Sequence, residues 1–596
     1  MQFLKQTCAS LVGSIAGVLL FFTLGSSALV LLILSGISQN QGPVVEDKTV
    51  IVFDLSIPIK DSLPPSSLGE VISGEEIKIM TLRQVLDSIK KATNDERIVG
   101  ILLNGTGGIN MGYANLSEVR SALEKFQAAG KKIIAYDVDL TEKEYYLASI
   151  ADTIFLNPMG GMEMNGIRSE QLFLTGALEK YGVGVQVIKV GKYKGAVEAY
   201  TRKELSPENR EQIKELLDDI WGKFVATVAE SREGITKEKL QEIADKKGFL
   251  LAEAAQKEGL VDEIAYGDEV VVKLKELTKS KETDTSFRQI GLKSYLSVPL
   301  KNQEIKYSEN KIALIYAEGS IVNGQGGLEE IGSDRLVEQL RSVREDEAVK
   351  AVVIRLNSPG GSATASDIIL RELQLVKAEK PVIISMGNVA ASGGYWIATG
   401  ADYILAESNT ITGSIGVFGL LFNVQEVGNN NGLSWDVVKT GNLADMDTNI
   451  RPKTEAELAI YQQYVEKIYA MFIDKVSQSR NLPKEKVEEI AQGRVWSGQD
   501  AKEIGLVDDF GGLEKAINYA AEKAGLGDDW EIEEYQEKRS LEAEIFARLI
   551  DAKAQAKQLD PLTLEYLKFR ENLVFLQSLN DPKGIYTRLP FHLLID

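Results

Sequence analysis

The chain repeats itself once, and this internal duplication restricts the fold more than any other feature of its 596 residues. Residues 144–152 (EYYLASIAD) match residues 394–402 (GYWIATGAD), and 394 minus 144 gives a spacing of 250. The same spacing relates residues 187–191 (VIKVG) to residues 437–441 (VVKTG). Because a repeat of this length falls within the size range of single domains, the sequence predicts two domains that share one fold.

Each copy alternates short β-branched runs with longer amphipathic segments. In the second copy, residues 352–356 (VVIRL) and 381–385 (PVIIS) have the composition of buried strands. Residues 365–378, which lie between them, are predicted to form a helix. This alternation is typical of an α/β layer fold whose parallel strands are buried on both faces.

The same pattern predicts the domain boundaries. We expect a first domain over residues 49–280 and a second over residues 310–530. Residues 281–309 are polar and only weakly periodic, which indicates a linker. Residues 531–596 are charged, with apolar residues at helical spacing, and are predicted to form a helical tail that packs against the chain or forms an oligomer.

The amino terminus is predicted to be a membrane anchor within residues 1–48. No charged side chain occurs from residue 6 to residue 45, and residues 11–37 are dominated by apolar residues and glycine. A helix needs about 20 residues to cross the hydrocarbon core, whereas the apolar core of a cleaved signal peptide has about 7 to 15. The length therefore favours a retained anchor in contact with lipid. Lys5 precedes the span and places the bulk of the chain on the far side of the membrane.

The acidic balance of the chain argues against nucleic acid as a partner. The formal net charge is -20, whereas a phosphate backbone is bound by clustered Lys and Arg. The single cysteine, Cys8, cannot form an intrachain disulfide and supplies no thiolate cluster for a metal. The fold is therefore expected to depend on packing.

The chain has one histidine, His592, so an ordinary Ser-His-Asp site is not expected. Ser392 nevertheless lies in a setting that suggests a nucleophile, the segment ASGGY after the predicted strand at residues 381–385. Carboxylates and lysines remain as proton acceptors, and a desolvated lysine is a known partner of a hydrolytic serine. Taken alone, Ser392 is equally consistent with a helix N-cap.

A glycine turn offers a second candidate element. Residues 357–361 (NSPGG) close a predicted strand and precede a helix, so backbone amides can approach a ligand closely. The turn matches neither the dinucleotide fingerprint nor a P-loop. It suits an oxyanion-binding turn and a purely structural turn equally well.

The duplication favours a catalytic role over these structural alternatives. At the spacing of 250, Glu142 occupies the position of Ser392, and Ala444 occupies the position of Lys194. One copy therefore keeps a serine and the other keeps a lysine, which suggests a composite site between the two halves. The alternative for Lys194 is a solvated surface lysine.

Together these motifs resemble the signal peptide peptidase family SppA, or protease IV, in its long tandem-domain form. The resemblance covers nearly the whole chain. It depends most on residues 357–361, 391–396 (ASGGYW), 412–416 (TGSIG) and 192–198 (KYKGAVE). It implies tandem domains of the crotonase-like or Clp-protease-like α/β fold.

The resemblance also implies roles for individual residues. Ser392 would be the nucleophile and Lys194 the general base, and Ser414 would orient the lysine. To accept a proton near neutral pH, Lys194 needs a pKa well below the ordinary value of about 10.4, which burial would provide. Such a mechanism requires no metal or cofactor.

An oxyanion site is expected beside the serine. We predict that backbone amides at Gly360, Gly361 and Gly393 stabilise the charge that develops on the substrate carbonyl oxygen.

The family further implies a homotetramer in the bacterial inner membrane, with a single membrane span and the catalytic domains on the periplasmic side. Its substrates are hydrophobic peptides, such as the remnants of cleaved signal peptides. Two rival functions remain at this point. One is a crotonase-type acyl-CoA enzyme, and the other is a noncatalytic membrane scaffold.

Overall fold

The computed structural model describes residues 45–62, 79–299, 307–327, 329–535 and 584–589. The predicted membrane span at residues 11–37, most of the predicted helical tail, and His592 lie outside the described residues. Within the described ranges, no helix is both long and apolar enough to cross a bilayer.

The first half of the chain forms the sheet that we call the N-terminal sheet. Its strands are mostly parallel, and only the pairing of Thr153–Met164 with Gly248–Leu251 is antiparallel. In spatial order the strands are Gln289–Gly291, Thr49–Asp54, Ile98–Asn104, Lys132–Leu140, Thr153–Met164 and Gly248–Leu251, and Glu263–Ile264 also pairs with Thr153–Met164.

The second half forms a corresponding C-terminal sheet. Its central strands are parallel, and Ile411–Gly413 pairs antiparallel with Val495–Ser497. In spatial order the strands are Val495–Ser497, Ile411–Gly413, Val382–Ala391, Val349–Ser358, Lys311–Glu318 and Glu531–Tyr535, with Tyr403–Ala406 between Val382–Ala391 and Asp509–Phe510. Two α/β halves are therefore present, as the duplication predicts.

The halves extend beyond the boundaries that the sequence predicts. Gln289–Gly291, which falls in the predicted linker, pairs with Thr49–Asp54 at the edge of the N-terminal sheet. Glu531–Tyr535 pairs with Lys311–Glu318 at the corresponding edge of the C-terminal sheet. Both strands are short and polar, so they lack the apolar run by which a strand is recognised, and backbone hydrogen bonds hold them in the sheet.

A third sheet joins the halves, and we call it the composite sheet. Val417–Asn423 of the second half pairs antiparallel with Gly184–Val190 of the first, with Val417 opposite Val190. In spatial order its strands are Glu330–Gly332, Ser320–Val322, Gly360–Ser362, Ile585–Arg588, Val417–Asn423 and Gly184–Val190. A separate two-stranded pair joins Ile59–Lys60 to Met80–Thr81.

Helices cover the sheets, and several begin at a threonine N-cap. Thr81, Thr141 and Thr454 each form a capping box with the residue three positions later. The helices of the first half are Leu82–Asn94, Tyr113–Ala128, Glu142–Ala148, Thr175–Tyr181, Glu198–Thr201, Pro207–Ser231, Lys237–Lys246, Ala252–Lys257, Gly267–Thr278 and Leu292–Leu296, with a 3₁₀ turn at Gly195–Val197. Those of the second half are Ser333–Glu345, Ala363–Lys377, Gly393–Ala398, Gln425–Asn430, Glu455–Arg480, Lys484–Ile490, Gly498–Glu503 and Leu513–Lys523.

A buried ion cluster also connects the two halves. Arg355, from the second half, is fully buried, and its guanidinium lies 2.8 Å from Asp61 Oδ1 and 2.7 Å from Glu118 Oε1 of the first half. The other oxygen of Glu118 accepts a hydrogen bond from the amide of Leu513 at 2.6 Å. Removing one member would leave a charge buried and unpaired, which is costly. The cluster therefore holds the halves in one relative position.

Candidate active site

Ser392 stands at the junction of a strand and a helix of the C-terminal half. It follows Val382–Ala391 and directly precedes Gly393–Ala398. Its φ is 56° and its ψ is -112°, and such a conformation costs a non-glycine residue about 1 to 3 kcal/mol. The amide of Ser392 donates to the carbonyl of Gly413 at 2.8 Å, which holds the strained residue in place.

Lys194 reaches the same point from the other half of the chain. It follows Gly184–Val190 and directly precedes the 3₁₀ turn Gly195–Val197. Its Nζ lies 2.7 Å from Ser392 Oγ, and the lysine and the serine are both fully buried. The structure thus brings together two side chains that are 198 positions apart in the sequence.

The loop that carries Lys194 is attached to the second half by its backbone and by Gln212. The amide of Tyr193 donates to the carbonyl of Gln492 at 2.9 Å. The Gln212 side chain donates to the carbonyl of Tyr193 at 2.9 Å and accepts from the amide of Val495 at 3.0 Å. These bonds position the lysine backbone against the serine.

Gly493 allows this close approach, although its sequence does not mark it as part of the site. Its φ is 75°, and a Cβ at this position would lie 2.7 Å from Lys194 Cβ. The only local signal is a glycine in the segment AQGR, which resembles many ordinary turns.

Ser414 completes the surroundings of the amine. Lys194 Nζ lies 2.9 Å from Ser414 Oγ and 2.9 Å from the Ser414 carbonyl oxygen. Ser414 is fully buried and, like Ser392, has a positive φ, here 51°. A neutral amine has two N–H donors and one lone pair. If the donors bond the two oxygens of Ser414, the lone pair is directed at the Ser392 hydroxyl.

The burial of Lys194 favours the neutral form of its amine. Burial lowers the pKa of the Lys194 amine well below its ordinary value, because the protonated form loses its hydration. A neutral lysine can accept a proton from a hydroxyl, whereas an ammonium cannot.

The predicted oxyanion glycines lie together beside Ser392, but they do not contribute equally. The amide of Gly360 donates to Ser358 Oγ at 3.1 Å, so its donor is already engaged. Gly360 has a φ of 94°, and a Cβ there would lie 2.7 Å from the amide nitrogen of Gly393. Gly360 therefore provides space, and the amides of Gly393 and Gly361 remain as candidate donors.

In the first half, the position equivalent to Ser392 carries a carboxylate and no hydroxyl. Glu142, at the position equivalent to Ser392, begins the helix Glu142–Ala148 and is buried. One of its carboxylate oxygens accepts hydrogen bonds from the amides of Asn165 at 2.6 Å and Gly166 at 3.2 Å. Ala444, at the position equivalent to Lys194, is exposed. The described residues therefore contain one serine and lysine pair of this kind.

Comparison with known proteins places this chain in a family. The chain matches Peptidase family S49 over residues 125–281 and 374–527, and Clp protease over residues 303–411. It is 36% identical over 533 residues to Protease 4 of Haemophilus influenzae, covering 86% of each chain. It is 35% identical over 477 residues to Protease 4 of Salmonella typhi, covering 79% of this chain and 76% of that protein. It is 36% identical over 452 residues to the chloroplastic serine protease SPPA of Arabidopsis thaliana, covering 75% of this chain and 66% of that protein.

The α/β fold and these matches define a serine protease. More particularly, the chain belongs to Peptidase family S49, and its relatives include the Protease 4 proteins. The resemblance to the SppA family that the motifs predict is therefore confirmed, as is the enzyme class. The matches give no support to an acyl-CoA enzyme or a noncatalytic scaffold.

Proposed function

We propose that this protein is a membrane-anchored endopeptidase in which Ser392 and Lys194 form a catalytic dyad that hydrolyses hydrophobic peptides, including the remnants of signal peptides. The observation that carries the proposal is the 2.7 Å contact between Lys194 Nζ and Ser392 Oγ in a fully buried setting.

In the first step, Ser392 Oγ attacks the peptide carbonyl carbon while its proton passes to the neutral amine of Lys194. The developing oxyanion is stabilised by the Gly393 amide and the neighbouring Gly361 amide. The C–N bond then breaks. The Lys194 ammonium returns its proton to the leaving amine, and an ester of Ser392 remains.

In the second step, Lys194 accepts a proton from a water molecule that attacks the ester. The C–O bond to Ser392 breaks, and the serine oxygen regains a proton from the lysine. Ser414 keeps its two contacts to the amine throughout, so the lone pair stays directed at the reacting atoms. Ser414 is therefore proposed as a positioning residue.

An apolar cluster beside the dyad supports hydrophobic peptides as substrates. It lies where the 3₁₀ turn after Lys194 packs on the composite sheet, and burial of apolar surface favours apolar ligands there. Its buried members are Ala196, Val197, Tyr200, Phe418, Leu420 and Tyr586, and the partly buried members, which can contact a ligand, are Leu174, Leu178, Val185, Val187, Ala199 and Phe422.

Exposed apolar side chains support assembly with further copies of the chain. Residues 437–441 are the second copy of residues 187–191, of which residues 187–190 pair with Val417–Asn423 inside the chain. In the second copy Val437 is 47% exposed and Val438 is 97% exposed. By the spacing of 250, the corresponding partner is residues 167–173 of a neighbouring chain. We propose a homotetramer built by this repeated pairing.

Location and assembly can be tested on the same preparation. The full chain is expected to fractionate with bacterial inner membranes through residues 11–37, with its catalytic domains on the periplasmic side. After detergent extraction, light scattering should give the mass of four chains, and Val438→Asp should reduce it. Recovery of the chain in the soluble fraction would contradict the membrane anchor. A mass of one chain for the unchanged protein would contradict the homotetramer.

Hydrolysis across pH tests the catalytic proposal. A quenched fluorogenic peptide of apolar, leader-like sequence is expected to be cleaved by the purified full chain, and a charged peptide of equal length much more slowly. Because Lys194 must be neutral and burial lowers its pKa, the rate should rise with pH and level off well below pH 10.5. A rate that still climbs through pH 10, or no cleavage of the apolar peptide, would refute the lysine-based mechanism.

A further inference from the structure

Arg494 lies where the loop that carries Lys194 meets the second half of the chain. Its guanidinium packs on two aromatic rings, one from each half. The guanidinium carbon is 4.9 Å from the ring centroid of Tyr193, in the first half, and 4.4 Å from that of Trp496, in the second half. A cation within about 6 Å of a ring centroid is attracted to the face of the ring. The Arg494 side chain therefore connects the two halves beside the candidate active site.

Tyr193 links this contact to the lysine, because it directly precedes Lys194 in the chain. Tyr193 is only 6% exposed, so its ring and the guanidinium meet in a largely dry environment, where a cation-π contact is strongest. The guanidinium also donates to the Tyr193 hydroxyl, at 3.4 Å. A displacement of Tyr193 would move the lysine backbone, and with it the Lys194 amine that lies 2.7 Å from Ser392 Oγ.

The backbone of Arg494 supports the second serine that contacts the amine. The amide of Ser414 donates to the carbonyl of Arg494 at 2.6 Å. Ser414 has a φ of 51°, and a non-glycine residue keeps such a conformation only when its surroundings hold it there. Arg494 therefore contacts the residue before Lys194 through its side chain and holds Ser414 through its carbonyl.

An ion pair with Glu215 gives Arg494 an alternative role, that of an ordinary surface contact. The guanidinium of Arg494 forms a salt bridge with the carboxylate of Glu215. The Glu215 side chain is 48% exposed, and ion pairs of exposed groups contribute little to stability. A lysine could also form such a pair, whereas packing on two rings suits the planar guanidinium. The aromatic contacts are therefore the stronger candidates for a specific role.

We propose that Arg494 is a positioning residue for the reaction, which keeps Lys194 in its buried position by packing on Tyr193 and Trp496. The proposal rests on the proposed function, because it takes Lys194 as the base that acts on Ser392. Without the Arg494 side chain, the lysine loop would separate from the second half and admit water to the amine. Burial is the cause of the lowered pKa of Lys194, so hydration would raise this pKa toward its ordinary value.

The first measurement determines the pKa of the Lys194 amine without turnover. Every chain is full length and carries Ser392→Ala. Acetic anhydride acetylates a neutral amine and not an ammonium, so the extent of Lys194 acetylation against pH gives a midpoint for this amine. Mass spectrometry of proteolytic fragments separates Lys194 from the other lysines. Arg494→Met removes the guanidinium and is expected to raise the midpoint by at least about one pH unit, which is roughly a tenfold change in proton affinity.

Three matched variants separate the aromatic contacts from the other contacts of this region. Arg494→Lys keeps the charge without the planar group, so its midpoint should lie between those of the parent and Arg494→Met. Glu215→Gln removes the ion pair and should leave the midpoint unchanged. Lys192→Met removes an exposed cation that lies 4.6 Å from the centroid of the Tyr193 ring, and it should also leave the midpoint unchanged. If thermal unfolding shows that Arg494→Met does not fold, Arg494→Lys takes its place.

A midpoint equal to the parent's in a folded Arg494 variant would overturn the positioning role. An equal shift in Glu215→Gln would also overturn it, because the ion pair would then account for the effect. In chains that retain Ser392, Arg494→Met should lower kcat for the apolar peptide about tenfold at pH values below its raised midpoint, where less of the amine is neutral. Failure of the proposed function would appear separately, as an absence of hydrolysis by the unchanged chain, and the acetylation midpoints would still test Arg494.

Discussion

Replacing Ser392 by alanine is expected to lower kcat for cleavage of the apolar peptide by at least about 10⁴-fold, because the acyl intermediate can no longer form. The substitution removes one oxygen atom from a fully buried site. It leaves the backbone of the sheet intact, because the hydrogen bond from the Ser392 amide to the Gly413 carbonyl is retained. The rate is measured by single-turnover hydrolysis with the full chain. A thermal unfolding curve shows that the variant is folded.

A matched control separates loss of the nucleophile from loss of a buried hydroxyl. Ser88 is also fully buried, on the helix Leu82–Asn94 of the first half. Among the described residues its Oγ has no hydrogen-bond partner. Ser88→Ala should therefore leave kcat unchanged. Hydrolysis by Ser392→Ala at the rate of the Ser88→Ala chain would show that another residue is the nucleophile.

Replacing Lys194 by methionine is expected to lower kcat/KM by at least about 10³-fold and at the same time to raise the thermal stability of the protein. The loss of activity follows from removal of the base that accepts the Ser392 proton. The gain in stability follows from linkage, because the buried amine has a lowered pKa in the folded state. Methionine has a similar length and buries no ionisable group.

The sign of the stability change depends on pH. Between the lowered folded pKa and the ordinary value of about 10.4, the unfolded chain binds the proton and the folded chain does not. The free energy of unfolding of the unchanged protein therefore rises with pH in this window, by about 1.4 kcal/mol per pH unit for this one group. The stability advantage of Lys194→Met should thus be larger at pH 7.5 than at pH 10.

Lys192→Met provides the comparison for this prediction. Lys192 is exposed two positions earlier in the chain, so its substitution should change neither kcat/KM nor the difference in unfolding temperature between the two pH values. An advantage of Lys194→Met that is equal at both pH values would mean that Lys194 has an ordinary pKa in the folded protein.

Several features of the fold are predictable from the sequence because their causes are local. Buried parallel strands require continuous apolar runs, and the strands Val349–Ser358 and Val382–Ala391 contain such runs. Helix starts such as Thr454 carry their capping residues within one turn. The edge strand Gln289–Gly291 has no such pattern, so its sequence predicts a linker.

The candidate site was predictable to a different degree for each residue. Ser392 and Lys194 can be proposed because the duplication shows which half retains each side chain. The sequence cannot predict that the Gly360 amide is already hydrogen-bonded. That bond depends on the position of the Ser358 hydroxyl, which accepts it at 3.1 Å. The strand Ile585–Arg588 has only four residues, and nothing in them indicates the two strands between which it lies.

The sequence by itself determined that this protein has two copies of one α/β fold, one carrying the serine and the other carrying the lysine. Only the tertiary structure decided that Gly184–Val190 pairs with Val417–Asn423, which brings Lys194 Nζ to 2.7 Å from Ser392 Oγ. The physical reason is that strands pair through backbone amides and carbonyls, which almost every residue has in common. A side-chain pattern can therefore reveal that a segment is a strand without revealing which distant strand it will join.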